Sequence, residues 1–350
     1  NENRGRATAI SINEKNNIVV AGWFHKVMQL GDKTIENDEN GQSFIAEISP
    51  NGTCIDLKSC TADGIFNIHY NAAGERLVSG VVSDRIIFDA AVYNNKDSKQ
   101  HNFLAYFDQS GKCKWIEKYD SQLVKIKSHE NDFYLTGKFS ESFVFAADTL
   151  STSASYDSNG FIHKINQQGV SQWIKAFGVE NTFQKVSYTE ETGCDLAFDQ
   201  ENNVLVCALT NDGLMNKLPS VNIIKYSPEG TFIDKKLLVK NANNSIYTFT
   251  KDGHSNYWLT GSVKNTLFLA NSSWKTFAPV NSYILKLNSS LDCEEVILPK
   301  HGTNTLFRSA YYANSYVSFT GHYKSFFSYK EDSIFNNGKN ELFLYTLPID

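Results

Sequence analysis

The sequence predicts an all-β protein, a six-bladed β-propeller of four-stranded antiparallel blades, with a seven-bladed or an incomplete ring as the alternative. Three observations predict this fold. Apolar residues alternate with polar ones at period two, as at Phe44, Ala46 and Ile48, which is typical of strands. No segment shows the 3.6-residue period of an amphipathic helix. One pattern returns six times along the 350 residues.

Each repeat begins with a strand, a polar tight turn and a second apolar strand that ends in a small residue. We call the small residue the marker. The markers are Gly22, Gly80, Gly137, Ala208, Gly261 and Gly321. Glycine at the end of a strand indicates a bulge or the close approach of a neighbouring backbone.

A further strand, a turn and another strand follow each of the first five markers. A four-stranded sheet cannot bury both of its faces alone, whereas six sheets arranged radially bury each face against the next blade. We therefore expect one domain over residues 1–350, with repeats at approximately 7–60, 66–118, 123–176, 194–238, 245–298 and 305–350. The sixth repeat lacks residues for a fourth strand. Either residues 1–6 supply it, the last blade is incomplete, or the chain is a piece of a longer protein.

Composition and charge narrow the function classes. The chain has 33 Lys and Arg against 38 Asp and Glu, a net charge of −5, and no basic cluster that would bind phosphates. Nucleic acid is therefore not an expected partner. The longest apolar stretch, about residues 18–24, is far shorter than the ~20 residues that span a bilayer. The chain begins with Asn1 and not with Met, so we expect a processed chain or an excised piece.

The third repeat contains Phe-Tyr-Leu-Thr-Gly at 133–137, Phe-Ile-His-Lys-Ile-Asn-Gln-Gln-Gly at 161–169, and then Trp173. These motifs resemble the bacterial β-propeller repeats known as SBBP repeats. The resemblance covers almost the whole chain, although the fourth repeat departs from it with Ala208 in place of Gly. It implies a secreted or surface protein with an adhesion or scaffolding role, and it transfers no catalytic residue. Trp173 and its counterpart Trp115 are expected to wedge one blade against the next.

The longest connections follow the second strand of each repeat, at about 23–43, 81–102, 138–160, 209–220, 262–282 and 322–341. Long loops on a rigid scaffold commonly carry recognition. We therefore expect a protein or glycan partner at this face of the propeller. Most aromatic residues of these segments are expected to pack between blades. The candidates for exposed, ligand-binding rings are Trp23, Tyr156, Trp274 and Tyr323.

No motif predicts a catalytic residue, a metal site or a cofactor, because His-x-x-x-His, Cys-x-x-Cys, nucleotide-binding and Gly-x-Ser-x-Gly patterns are missing. The main hypothesis is a non-enzymatic, extracellular or cell-surface propeller that binds a partner with its long loops. One alternative is a glycan-binding lectin. The other is a propeller hydrolase or lyase with ionisable groups at the mouth of the channel.

Among the six cysteines, Cys194 and Cys207 are expected to lie close together. Pairing Phe198 with Asn203 across the first turn of the fourth repeat places the two cysteines opposite each other. Cross-strand cysteines either form a disulfide or remain thiols in a core.

Overall fold

The structure is a computed structural model that describes residues 4–37, 41–97, 99–152, 158–178, 191–210, 219–240, 245–269, 272–301, 306–313, 315–329 and 332–348. Over these residues the chain forms antiparallel strands and no helix, which agrees with the all-β class that the sequence predicts. None of the described residues forms a helix that could cross a membrane. The contacts divide the chain into two compact units, the first with Asn1–Thr152 and Ile162–Lys175, the second with Ser153–Phe161 and Ala176–Asp350.

The first three four-stranded sheets contain the strands up to residue 177. Sheet 1 and its hairpin consist of β1 (Gly5–Ile12), β2 (Ile18–Phe24), β3 (Val27–Leu30), β4 (Lys33–Glu36), β5 (Gln42–Ile48) and β6 (Cys54–Cys60). Sheet 2 and its hairpin consist of β7 (Gly64–Tyr70), β8 (Arg76–Val82), β9 (Arg85–Phe88), β10 (Ala91–Asn94), β11 (His101–Phe107) and β12 (Cys113–Lys118). Sheet 3 and its hairpin consist of β13 (Gln122–His129), β14 (Asp132–Ser140), β15 (Ser142–Phe145), β16 (Asp148–Ser151), β17 (Ser158–Ile165) and β18 (Ser171–Phe177).

The remaining strands form three more sheets. Sheet 4 consists of β19 (Thr192–Phe198), β20 (Val204–Thr210), β21 (Ser220–Tyr226) and β22 (Phe232–Lys240). Sheet 5 consists of β23 (Ile246–Lys251), β24 (Tyr257–Leu269), β25 (Ser273–Leu287) and β26 (Cys293–Ile297), and β22 joins it through β24. Sheet 6 consists of β27 (Lys300–His301), β28 (Leu306–Ala313), β29 (Tyr316–Tyr329) and β30 (Asp332–Pro348).

Sheets 1 to 5 share one order, in which each strand pairs with the next along the chain once the hairpins are set aside. This antiparallel four-stranded sheet is the repeating element of a β-propeller, the predicted fold. The sheets span nearly the same residues as the six predicted repeats. The number of blades and the single domain remain predictions.

The predicted long loops are largely β-hairpins. Strands β3 and β4, β9 and β10, and β15 and β16 pair with each other, while β24, β25, β29 and β30 extend past their sheets. Buried and exposed side chains alternate along these segments, as they do in strands: Phe143 and Phe145 are buried, whereas Val144 between them is 42% exposed. The segments therefore contribute apolar surface to the core.

Trp115 of sheet 2 packs against the hairpin that follows β14. Its ring stacks on Tyr106 at 5.8 Å between centroids and meets Phe145 at 6.1 Å. The predicted wedge between neighbouring blades is thus present at this position, where aromatic contacts add to the burial of apolar area.

Gly5 and Arg6 do not supply a strand to sheet 6, which was one of the three alternatives for its missing strand. Gly5 and Arg6 lie in β1 and pair with Phe24 and Trp23, because the period-two pattern of β1 already begins there. Asn1, Glu2 and Asn3 lie outside the described residues.

Candidate functional site

In every sheet the strand that precedes the marker strand, β28 in sheet 6, carries a β-bulge opposite the marker. In sheet 1, Ala7 faces Gly22 and Ala9 faces Ala21, so Thr8 is the additional residue. The same shift of register occurs in all six sheets, and the bulged residues are Thr8, Phe66, Val124, Cys194, Tyr247 and Arg308. A bulge redirects side chains and is common beside functional sites.

The bulge explains the markers. A Cβ atom on Gly22 or Gly137 would overlap the backbone carbonyl oxygen of Arg6 or Gln122 in the facing strand. The close approach predicted from the sequence is therefore confirmed. In sheet 4 the marker is Ala208, and the residue that faces it on the neighbouring strand, Gly193, is also small.

Two bulged side chains of the second compact unit meet. The guanidinium carbon of Arg308 in β28 lies 5.1 Å from the centre of the Tyr247 ring in β23. Arg308 is exposed, and it makes no ion pair within the described part of the chain. A cation over an aromatic face is attracted by the ring quadrupole, which holds the guanidinium in place without neutralising it. This pair therefore presents a positive charge to solvent.

His322 lies beside this pair, one residue after the marker Gly321, and faces Leu306 in β28. Partial burial and the positive charge of Arg308 lower the pKa of His322 below its ordinary value. The imidazole is consequently neutral at pH 7 and has one nitrogen that can accept a proton. A neutral histidine beside a cation is a suitable general base.

Hydroxyl groups line the same end of sheet 5. The Tyr247 hydroxyl lies 3.5 Å from Ser262 Oγ. The Tyr283 hydroxyl lies over Gly261, so that a Cβ atom on Gly261 would be only 2.5 Å from this hydroxyl. It is fully buried and has no hydrogen-bond partner among the residues that the structure describes, and burial raises its pKa far above the ordinary value. We call Tyr247, Ser262, Arg308 and His322 the Arg308 cluster.

A second polar cluster lies in the first compact unit, where Tyr119, which follows β12, meets sheet 3 and its hairpin. His163 is fully buried; its Nδ1 is 3.0 Å from the Tyr119 hydroxyl and its Nε2 is 2.9 Å from Ser171 Oγ. Ser171 donates its own proton to Asp148. Burial lowers the pKa of His163 to about 3.

The direction of these hydrogen bonds decides the role of Ser171. A serine hydroxyl has one proton, and Asp148 accepts it, so His163 Nε2–H must donate to Ser171 and Tyr119 must donate to Nδ1. A catalytic histidine would accept the proton of the serine instead. The cluster therefore ties the β15–β16 hairpin to the sheet and does not activate a nucleophile.

Three of the four predicted binding residues are described, and each belongs to a different sheet. Trp23 is half-buried between Arg6 and Ser43 in sheet 1. Trp274 is half-buried against the core of sheets 4 and 5. Tyr156 lies outside the described residues.

Tyr323 is buried, contrary to the expected exposure. Strand β29 runs through this position, and the Tyr323 hydroxyl donates to Glu341 at 3.2 Å. That any of these four residues binds a ligand remains a prediction.

Cys194 and Cys207 are free thiols. The predicted register is offset by one residue from the turn onward, because Phe198 pairs with Val204 and not with Asn203, which places Asp195 opposite Cys207. Cys194 is the bulged residue that follows in this strand pair. Burial raises the pKa of Cys194 to about 12. Among the described residues, no group of three or more His, Cys, Asp and Glu side chains is arranged to hold a metal ion.

Sequence reasoning missed Tyr247 and Arg308. Both residues lie opposite the marker, in the strand that precedes the marker strand, at the position that carries the bulge in each repeat. The marker glycines were the available signal, since they predicted a bulge but not which side chain it redirects.

No protein-family model matches the chain, and no curated protein matches it. Similar solved structures are a mutant of puromycin hydrolase (TM-score 0.44, 8% identity, 97% of this chain and 52% of that chain), the Dos1 propeller (0.45, 8%, 100% and 94%) and a gluconolactonase from Xanthomonas campestris (0.40, 10%, 88% and 88%). The chain thus spans about half the length of the puromycin hydrolase.

These likenesses correct one prediction. The sequence analysis predicts a protein that is not an enzyme, whereas two of these three similar structures are enzymes, a hydrolase and a gluconolactonase. The prediction of a non-enzymatic propeller is contradicted. The missing sequence motifs do not exclude an enzyme, because a propeller site collects its residues from separate repeats.

Proposed function

We propose that the chain is a propeller enzyme, a lyase or a hydrolase, that acts on an acidic substrate at the Arg308 cluster. One observation carries this proposal: the exposed Arg308 guanidinium has no carboxylate partner in the described structure and lies on Tyr247, beside a neutral His322. A guanidinium binds a carboxylate through two parallel hydrogen bonds.

The cluster favours a lyase over a glycosidase. Glycoside hydrolysis commonly uses two carboxyl groups, whereas this cluster contains an arginine, a histidine, a tyrosine and a serine. In an elimination, His322 takes the proton from the carbon next to the substrate carboxylate. Arg308 stabilises the negative charge that develops on that carboxylate, and Tyr247 donates a proton to the departing oxygen. One C–H and one C–O bond break, and a carbon–carbon double bond forms.

We propose an acidic glycan as the substrate, and a secreted or surface location with repeats of the SBBP type. The glycan agrees with the carboxylate-binding geometry of arginine, since uronic acids carry a carboxylate on the sugar ring. The resemblance of the repeats to SBBP repeats supports the location.

The test is an assay of the purified chain with uronic-acid polymers, following the ultraviolet absorbance of the new double bond. Arg308→Gln should reduce kcat/KM tenfold or more, because a hydrogen bond to a charged group contributes roughly 1.5–3 kcal/mol. The matched control is Arg85→Gln, which changes an exposed arginine of sheet 2.

The pH profile identifies the base. With His322 neutral in the active form, kcat/KM should rise with pH through a pKa below the ordinary ~6.5 of histidine. Arg308→Gln removes the nearby positive charge, which should raise the pKa of His322 and move the rise in kcat/KM to higher pH. Release of reducing ends without a double bond would assign a hydrolase. Equal activity of Arg308→Gln and Arg85→Gln would refute the site.

A further inference from the structure

The turn between β5 and β6 places a side-chain amide next to a glycine. Asn51 and Gly52 are both exposed. Gly52 has a φ of 89°, and a Cβ atom built on it would have no atom within 4 Å. Since glycine also has no side chain of its own, nothing shields the Gly52 backbone nitrogen on that side.

The side-chain carbonyl oxygen of Asn51, Oδ1, is an acceptor of hydrogen bonds in this turn. The Thr53 backbone N–H donates to it at 3.1 Å. The Ser49 hydroxyl has two acceptors for its proton, Asn51 Oδ1 and the Thr53 carbonyl oxygen. Donors at a carbonyl oxygen stabilise the negative charge that develops there when a nucleophile attacks the carbonyl carbon. The turn therefore activates Asn51 Cγ beside the nitrogen of the next residue.

We propose that Asn51 and Gly52 form a self-modifying site at which the side-chain amide of Asn51 is lost. The Gly52 backbone nitrogen forms a bond to Asn51 Cγ, the bond from Cγ to Nδ2 breaks, and the Gly52 amide proton leaves with Nδ2 as ammonia. Water then opens the resulting succinimide ring at either of its two carbonyl carbons. The product is aspartate or isoaspartate, and the chain gains one negative charge.

One hydrogen bond of the turn opposes this reaction. The Gly52 N–H donates to the Ser49 carbonyl oxygen at 2.9 Å, and this bond must open before the nitrogen attacks. Exposed turns open locally at a small free-energy cost compared with the core of a sheet. The modification is therefore expected in the folded chain, over days and not seconds, and it does not depend on the Arg308 cluster.

Sheet 4 contains a matched turn between β21 and β22. Residues 227–231 read Ser-Pro-Glu-Gly-Thr, whereas residues 49–53 read Ser-Pro-Asn-Gly-Thr. In both turns the glycine nitrogen donates to the serine carbonyl oxygen at 2.9 Å, and the φ of Gly230 is 80°. Glu229 has a carboxylate in place of the Asn51 amide, and a carboxylate resists attack by a nucleophile. This turn should stay intact in the natural chain.

The test incubates the full chain and two variants under mildly alkaline conditions for several days. Peptide mapping by mass spectrometry then detects an amide replaced by a carboxylic acid, and separates residues 51–52 from the same dipeptide at 337–338. Conversion of Asn51 should exceed that of Asn166, which precedes a glutamine, at least tenfold, because the reacting atoms of Asn51 are closer to free approach. Circular dichroism confirms that each protein keeps its strands.

The two variants exchange the reactive residue between the matched turns. Asn51→Gln should abolish conversion at 49–53, because its longer side chain disfavours ring closure. Glu229→Asn should create a second converting site at 227–231. Equal conversion of Asn51 and Asn166, or an intact 227–231 turn in Glu229→Asn, would overturn the proposal. A product at Asn51 that contains aspartate and no isoaspartate would also overturn it, since direct hydrolysis by water gives aspartate alone.

Discussion

Acid should destabilise the first compact unit through His163. In the folded state its pKa is about 3, because burial disfavours the charged imidazole, whereas an unfolded chain has the ordinary ~6.5. The unfolded state therefore binds a proton that the folded state does not bind. Stability is fully present above pH 6.5 and falls as the pH falls toward 3.

The size of this effect follows from the difference in pKa. Each unit corresponds to about 1.36 kcal/mol, so between pH 7 and pH 4 the loss from this one group is about 3 kcal/mol. Carboxylates also contribute to acid unfolding, so the wild type must be compared with a variant that cannot titrate. His163→Gln retains an amide for Tyr119 and Ser171 and has no proton to gain.

Urea unfolding, followed by tryptophan fluorescence at pH 7 and pH 4, measures the difference. The wild type should lose about 3 kcal/mol more than His163→Gln over this interval, whatever the stability of the variant at pH 7. If both proteins lose the same free energy, His163 is not the buried, neutral group described above. Its bonds to Tyr119 and Ser171 would then have to be reassigned.

Further predictions concern the markers and the thiols. Gly137→Ala places a Cβ against a backbone carbonyl and should lower the free energy of unfolding by about 1–3 kcal/mol in urea titrations. Gly5→Ala, whose Cβ would have no contact closer than 3.4 Å, should stay within about 0.5 kcal/mol, and equal losses would contradict the bulge argument. Without reductant, all six thiols of the unfolded chain should react with a colorimetric thiol reagent, and a count of four would show that one disulfide is present. In the folded chain, Cys194 should react with iodoacetamide far more slowly at pH 7 than after unfolding, because its thiolate is disfavoured by burial.

The candidate site was less accessible to sequence reasoning than the fold. Aromatic rings such as Tyr323 were expected at a binding face, but the segments that hold them pair as hairpins and bury the rings. Arg308 and Tyr247 have no motif around them. They stand 61 residues apart in the numbering and meet only because β23 and β28 belong to neighbouring sheets.

The sequence by itself determined the repeats, the period-two strands and the places of close backbone approach, because these depend on the order of small and apolar residues within one repeat. A marker glycine such as Gly137 indicated a bulge or the close approach of a neighbouring backbone. Only the tertiary structure decided which residues meet: the turn register places Asp195 and not Cys194 opposite Cys207, and the bulged residues Tyr247 and Arg308 of neighbouring sheets come together. Local patterns specify strands, whereas contacts between repeats depend on registers that no single repeat contains.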